Sequence, residues 1–293
     1  MGHIPQFTVL GLANGTIYAL IALGLSLVYK ATRAINFAQG EVGTLAAFIA
    51  WELIGRHHQN WVVGAAAGLA AAVVVGYVMH RFVATPMREA SRVSLTIATL
   101  GVAFTLYGFE AKVFGASPEV LPPPSLGFQG VSVAGFLLTP VYIYAIAAAV
   151  IASATLGVVL RRTRFGLGVL ASAQDSDTAR LLGVPAAKVS AFTWVGAAVL
   201  AGVAGLLAGP TQGVIYPFFM SGTLLFRGLV AALVGGFGDL PGAVYGGLIV
   251  GLVEAYSIEA FVHYPGLPEV ILMALVLGVL LVRPRGILAR GAA

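Results

Sequence analysis

Hydrophobic residues run through this chain in long blocks, separated by short polar breaks or by clusters of glycine and proline. A helix needs ~20 apolar residues to cross ~30 Å of hydrocarbon, and most of the blocks reach that length. They fall at 7–29, 35–54, 61–82, 93–114, 139–160, 187–209, 222–257 and 266–282, which predicts about eight membrane segments. The block 222–257 is too long for one crossing. Gly235, Gly236, Gly238, Pro241 and Gly242 divide it into a short and a longer limb, a hairpin or a broken helix. The expected fold is an all-α, polytopic integral membrane bundle, one transmembrane domain over residues 1–293.

Composition supports that class: 59% of residues are hydrophobic and 9% charged, with a mean hydropathy of +0.96. A soluble domain of this length carries far more charge, and a membrane β-barrel shows short alternating segments instead of long apolar blocks. Cysteine is absent, which removes disulfide scaffolds, thiolate metal sites and thiol nucleophiles together. The net charge of +5 comes from cations at the ends of apolar spans. Topology and anionic lipid account for them there, so no nucleic-acid partner is expected. No Lys or Arg precedes the first block and no small-residue cleavage site follows it, so it is expected to be kept as a span.

Lys and Arg concentrate in cytoplasmic loops. If the segments alternate and the hairpin crosses twice, all but Arg56, Lys112 and Arg227 of the 16 Lys and Arg fall on one side. That side is then the cytoplasm, with the N-terminus outside, the C-terminus inside, and the Pro-rich loop of about 115–138 outside.

Polar groups inside apolar segments are the candidates for function, because a charge at mid-membrane costs on the order of 2–4 kcal/mol unless it finds water, a partner or an interface. Glu41, entering the second block behind Asn36 and Gln39, has two readings: a polar turn at a helix N-terminus, where the dipole favours an anion, or part of a transport pathway or its gate. Gly238 and Asp239 lie in the glycine-rich break, which is either a plain turn or irregular backbone lining a wet cavity. Arg227 and Glu254, one in each limb, are placed to neutralise each other across the hairpin. Asn14 and Tyr18 share a face of the first span, facing either a neighbouring helix or a cavity. Gly-x-x-x-Gly spacings at Gly11/Gly15, Gly64/Gly68, Gly205/Gly209, Gly242/Gly246 and Gly247/Gly251 point to close helix packing, within one bundle or at a subunit interface.

Catalysis is not expected. The five histidines are scattered without ligand spacing, no phosphate-binding Gly-x-x-x-x-Gly-Lys-Ser/Thr loop occurs, and no cofactor or metal is implied. If ATP drives this chain, the ATPase is a separate subunit. The central stretch, about 161–187, is consistent with that. It carries Arg161, Arg162, Arg164 and Arg180 with Asp175 and Asp177, and Leu167, Leu170, Ala171, Gln174, Thr178 and Leu181 are spaced to share one helical face. Such a helix lies on the membrane or docks in a partner's groove. Asp177-Thr178-Ala179, with Gly183 four residues after Ala179, reproduces part of the spacing of the Glu-Ala-Ala-x-x-x-Gly loop by which ABC permeases contact their ATPases.

Several ordered motifs together resemble the LivH family, the permeases of branched-chain amino acid ABC transporters. They are Asn14-Gly15-x-x-Tyr18-Ala19-Leu20, the Ile35–Glu41 turn, Thr99-Leu100-Gly101, the loop ending at Gly183, Leu200-Ala201-Gly202-x-Ala204-Gly205, the Gly235–Gly247 block and Arg283-Pro284-Arg285-Gly286. Gln39 stands where a His is common in that family, and Glu110 where neutral polar residues are frequent. The resemblance implies an importer permease in a bacterial or archaeal inner membrane, forming half of a pathway with a second, LivM-like permease. It further implies two cytoplasmic ATPases and a periplasmic binding protein that delivers Leu, Ile, Val or a related solute. Relatives of the family also serve urea, short amides and other amino acids. The alternative is a stand-alone channel or secondary carrier for a small polar solute, with Glu41 and Glu254 as coupling carboxylates. A membrane scaffold without transport leaves the polar turns idle.

Overall fold

A computed structural model of the chain describes residues 4–124, 131–133, 136–174, 179, 181–284 and 286–287. Ten α-helices and one short β-ribbon appear among them. The helices are α1 (Ile4–Thr32), α2 (Gln39–Trp51), α3 (Trp61–Met79), α4 (Arg92–Val113), α5 (Pro140–Arg162), α6 (Arg164–Gln174), α7 (Ala186–Gln212), α8 (Leu225–Gly235), α9 (Leu240–Ala260) and α10 (Leu267–Val282). Single π-helical turns extend α2 (Glu52–Arg56) and α3 (His80–Ala84) and lead into α8 (Met220–Leu224).

Six segments are long and apolar enough to cross a membrane: Gln6–Thr32, Trp61–Ala84, Arg92–Val113, Pro140–Arg162, Ala187–Gln212 and Leu240–Ala260. The others predicted from the pattern are shorter here: α2 with its π-turn, Met220–Gly235 and Leu267–Val282. The chain is a multi-pass membrane protein. Its most apolar stretches differ in what surrounds them. The α1 and α7 segments are 72% and 67% buried, whereas those of α4 and α5 are 22% and 17%. A helix apolar all round and buried occupies the centre of a bundle, and an apolar helix with an open face meets lipid. Val74, Ile97 and Ile151, at 60%, 62% and 65% exposure, lie on that outer face.

Helix starts follow ordinary capping chemistry. Asn60 accepts from the Val62 amide (2.8 Å) and Ser91 from that of Ser94 (3.0 Å), opening α3 and α4. Asp239 accepts from the Gly242 amide (3.0 Å) and opens α9, with Pro241 in its first turn.

The glycine motifs pack helices inside this chain. A Cβ added at Gly15 would lie 2.9 Å from the Gly247 carbonyl, and one at Gly11 2.9 Å from that of Gly251, so α1 and α9 meet backbone to backbone. Gly64 and Gly68 press on α2, and Gly205 on Gly43. The block 222–257 is a hairpin: α8 and α9 run side by side, with Gly235 against Gly242, and Gly236 and Gly238 take positive φ in the turn between.

Two features were not expected from the pattern. Val131–Val133 pairs antiparallel with Phe136–Leu138 in the Pro-rich loop. Earlier in that loop, Glu119 exchanges both backbone hydrogen bonds with Ile215 (2.8 and 2.7 Å), tying it to the connection between α7 and α8.

Candidate translocation site and coupling surface

The sequence-derived polar candidates separate into three places. In the first, the Tyr18 hydroxyl donates to Glu254 Oε2 at 2.5 Å. Glu254 pairs with Arg227, whose Nη2 lies 3.6 Å from Glu269 of α10. This chain of contacts joins α1, α9, α8 and α10. It gives a buried carboxylate both a cation and a hydroxyl donor, the arrangement in which a charge is tolerated in a bundle. Tyr18 is 1% exposed and committed to Glu254, whereas Asn14, one turn earlier, is half-buried.

The second place gathers Asn36, Gln39 and Glu41. Residues 33–38 turn back along α1 and dock on α4. The Ile35 amide donates to Thr96 Oγ1 (3.3 Å) and the Phe37 amide to Thr99 Oγ1 (3.1 Å), while Thr99 Oγ1 in turn lies 3.2 Å from the Ile35 carbonyl. Gln39 Nε2 donates to the Ile21 carbonyl (3.0 Å), and its side chain fills the space left by Gly24. Glu41 sits in the first turn of α2, where the dipole favours it, but it caps no amide.

Instead its carboxyl faces that of Glu110 on α4, with the Ser221 hydroxyl and the Phe218 backbone beside it. Both glutamates are fully buried. All four of their carboxyl oxygens, together with Ser221 Oγ, Asn36 Oδ1 and Gln39 Oε1, lack a partner of good hydrogen-bond geometry. The four carboxyl oxygens and Ser221 Oγ lie together and mark a place that the apolar bundle alone does not explain. Phe218 borders it through its backbone. It holds a positive φ of 75°, unusual for a bulky residue. Its ring stacks on Phe104 (6.2 Å between centroids) and meets Tyr107 edge-on (5.6 Å).

The third place holds Gly238 and Asp239, in the turn between α8 and α9. It packs on the end of α1: Lys30 Nζ donates to the Gly238 carbonyl (3.4 Å), and Tyr29 meets Phe237 at 4.4 Å. Asp239 serves as the cap of α9, and the turn does not join the Glu41 cluster.

In the central stretch, α6 leaves the end of α5 through Thr163, whose hydroxyl accepts from the Gly166 amide at 3.1 Å. Asp177 and Thr178 lie outside the described residues. Ala179 is buried, and Gly183 has a φ of +82° with open space where a Cβ would be. In this segment Gly168 and Val169 are buried, while Leu167, Leu181 and Leu182 are 52%, 89% and 79% exposed.

Residues 7–282 match the family of permease components of branched-chain amino acid transport systems. The chain belongs to this family. It is 34% identical to the high-affinity branched-chain amino acid transport permease LivH of Escherichia coli K12, over 96% of this chain and 94% of that one. With BraD of Pseudomonas aeruginosa it shares 33% identity over 98% and 96%. Among solved structures, PsaBC from Streptococcus pneumoniae in complex with Fab has the same fold, with a TM-score of 0.51, 11% identity, and 96% and 93% coverage.

Sequence reasoning about this permease misses Ser221 and Phe218 altogether and names Glu110 only as a departure from its relatives. A single signal exists for the pair: two carboxylates, each within an apolar block. Thr99 belongs to a motif that carries the family resemblance, and its role becomes visible only with the turn it pins.

Proposed function

We propose that this permease is the membrane subunit of an ATP-driven importer for branched-chain amino acids or a closely related small solute. It forms half of the translocation pathway, beside a second, LivM-like permease. Two cytoplasmic ATPases drive it and a periplasmic binding protein supplies the solute. The N-terminus lies outside and the C-terminus in the cytoplasm, as the distribution of Lys and Arg favours.

The observation that carries this reading is the surface after α6. Leu181 and Leu182 project outward, in a stretch whose sequence is rich in cations, and Gly183 follows in a left-handed conformation. Two large apolar side chains displayed among charges fit a protein partner better than lipid or water. The chain has no phosphate-binding loop of its own, so a docked ATPase accounts for both.

Of the candidate pathway residues, Asn36, Gln39 and Glu41, the last beside the Phe218 backbone, are the ones we assign to solute passage or gating. Asn14, half-buried one turn before Tyr18, is the further residue we assign to the pathway. Tyr18, Arg227 and Glu254 hold four helices in register, and Gly238 with Asp239 shapes the turn that meets the end of α1.

The test is uptake in proteoliposomes. The permease, its partner permease and ATPase, with the binding protein added outside, should accumulate labelled leucine only when ATP is enclosed. Uptake by the permease alone down a gradient would support a stand-alone carrier instead.

A further inference from the structure

We propose that the permease holds the phosphate headgroup of one anionic phospholipid in a basic cavity beside α6. The cavity, about 240 Å³, lies between the end of α1, the connection from α3 to α4, α6 and the start of α7. Arg88 and Arg92 line it, with His80, Thr85, Ser172 and Ser190. Among the described residues, no carboxylate contributes to the lining. Among the described residues, Arg88 pairs only with its exposed neighbour Glu89 (3.6 Å) and Arg92 makes no ion pair.

Arg88 and Arg92 both line the cavity and both are exposed, and an anion bound between two guanidinium groups would offset their mutual repulsion. Guanidinium matches phosphate oxygens with two parallel hydrogen bonds, and hydroxyl groups complete the remaining acceptors. His80 Nδ1 and Ser190 Oγ, 3.2 Å apart, form a polar wall between α3 and α7.

The surroundings select a lipid over a free anion. The turns that supply His80 and Arg92 also carry Phe82 and Val93, 71% and 67% exposed. Apolar side chains this open, next to a basic cavity at the ends of membrane helices, mark the level where acyl chains give way to headgroups. Basic pockets between membrane helices on the cytoplasmic side take anionic headgroups. The proposal rests on the topology above only for the side of the membrane. A bound headgroup would brace α6, through Ser172, against the connection from α3 to α4. The coupling segment would then be held to the bundle by lipid as well as by protein.

Native mass spectrometry of the full-length permease, offered phosphatidylglycerol or phosphatidylcholine in mixed micelles, tests this. Wild type should retain one phosphatidylglycerol at an occupancy at least tenfold above phosphatidylcholine. The Arg88→Gln/Arg92→Gln variant should lose that preference while keeping its melting temperature in phosphatidylcholine. Ser172→Asp, which leaves both arginines in place and adds a carboxylate to the cavity, should lose it as well. A preference unchanged in either variant overturns the proposal. Displacement of the lipid by millimolar inorganic phosphate would assign the cavity to a free anion, and displacement by the purified ATPase would assign it to an acidic side chain of that partner. Each of these also overturns it. The readout needs no transport, so its failure is separable from failure of the importer reading.

Discussion

Glu41 on α2 and Glu110 on α4 meet carboxyl to carboxyl inside the bundle, neither exposed to solvent. Two carboxylates in contact repel, and a hydrogen placed between them would satisfy one oxygen on each side. An amide does the same work without the like charge. Glu110→Gln is therefore expected to stabilise the purified permease or leave it unchanged, and Glu110→Leu, which orphans the buried Glu41, to destabilise it by about 1–3 kcal/mol. Thermal unfolding in detergent checks both. A Gln variant as unstable as the Leu variant would mean that charge at this position matters in itself.

The contacts among Tyr18, Glu254 and Arg227 lead to a graded expectation. Tyr18→Phe removes one hydrogen bond and should cost about 1 kcal/mol. Arg227→Met leaves Glu254 buried without its cation and should cost about 3–5 kcal/mol. The double variant Arg227→Met/Glu254→Leu should recover most of that loss, because no unpaired charge remains. A double-mutant cycle on melting temperature measures the coupling, and additive losses would show that the pair contributes nothing beyond its separate side chains.

These sites differ in how far the chain announces them. The membrane class, the hairpin and the oddity of Glu41 are legible in the pattern, because an apolar block records length and a lone carboxylate inside one stands out. The partner of Glu41 is not, since a contact between helices separated by an intervening span leaves no periodic trace. Gly15 and Gly247 illustrate the middle ground. Their spacings predict close helix packing, but only the folded bundle pairs α1 with α9. The exposed Leu181 near α6 is a different case. Periodicity identifies an apolar face, and whether the core or a partner covers it depends on helices outside the window.

The two sets of glycines should respond differently to the same change. An added Cβ at Gly247 would strike the backbone at Ala19, whereas at Gly278 in α10 nothing lies within 4 Å. Gly247→Val is expected to abolish stable expression. Gly278→Ala should be neutral or stabilising by about 0.5–1 kcal/mol, since glycine in a helix interior costs that much relative to alanine. Fluorescence-detected size exclusion of the two variants makes the comparison. Equal profiles would refute backbone contact between α1 and α9.

Force transmission is expected to fail separately from folding. Leu181 and Leu182 are almost fully exposed, so replacing both with Ser removes little buried area from the permease itself. Its melting temperature should stay within a degree or two, a shift of under about 1 kcal/mol for surface changes. If these side chains seat in the ATPase, however, truncating two central apolar anchors costs about 2 kcal/mol or more of binding, a loss of at least thirtyfold. Co-purification of the ATPase should then fall away, and ATP-dependent uptake with it. Gly183→Val acts through the backbone, because a β-branched residue resists the φ of +82° held there, and it should weaken the same association while leaving the distant bundle intact. An ATPase that stays bound to both variants would remove the reason for assigning the segment after α6 to coupling.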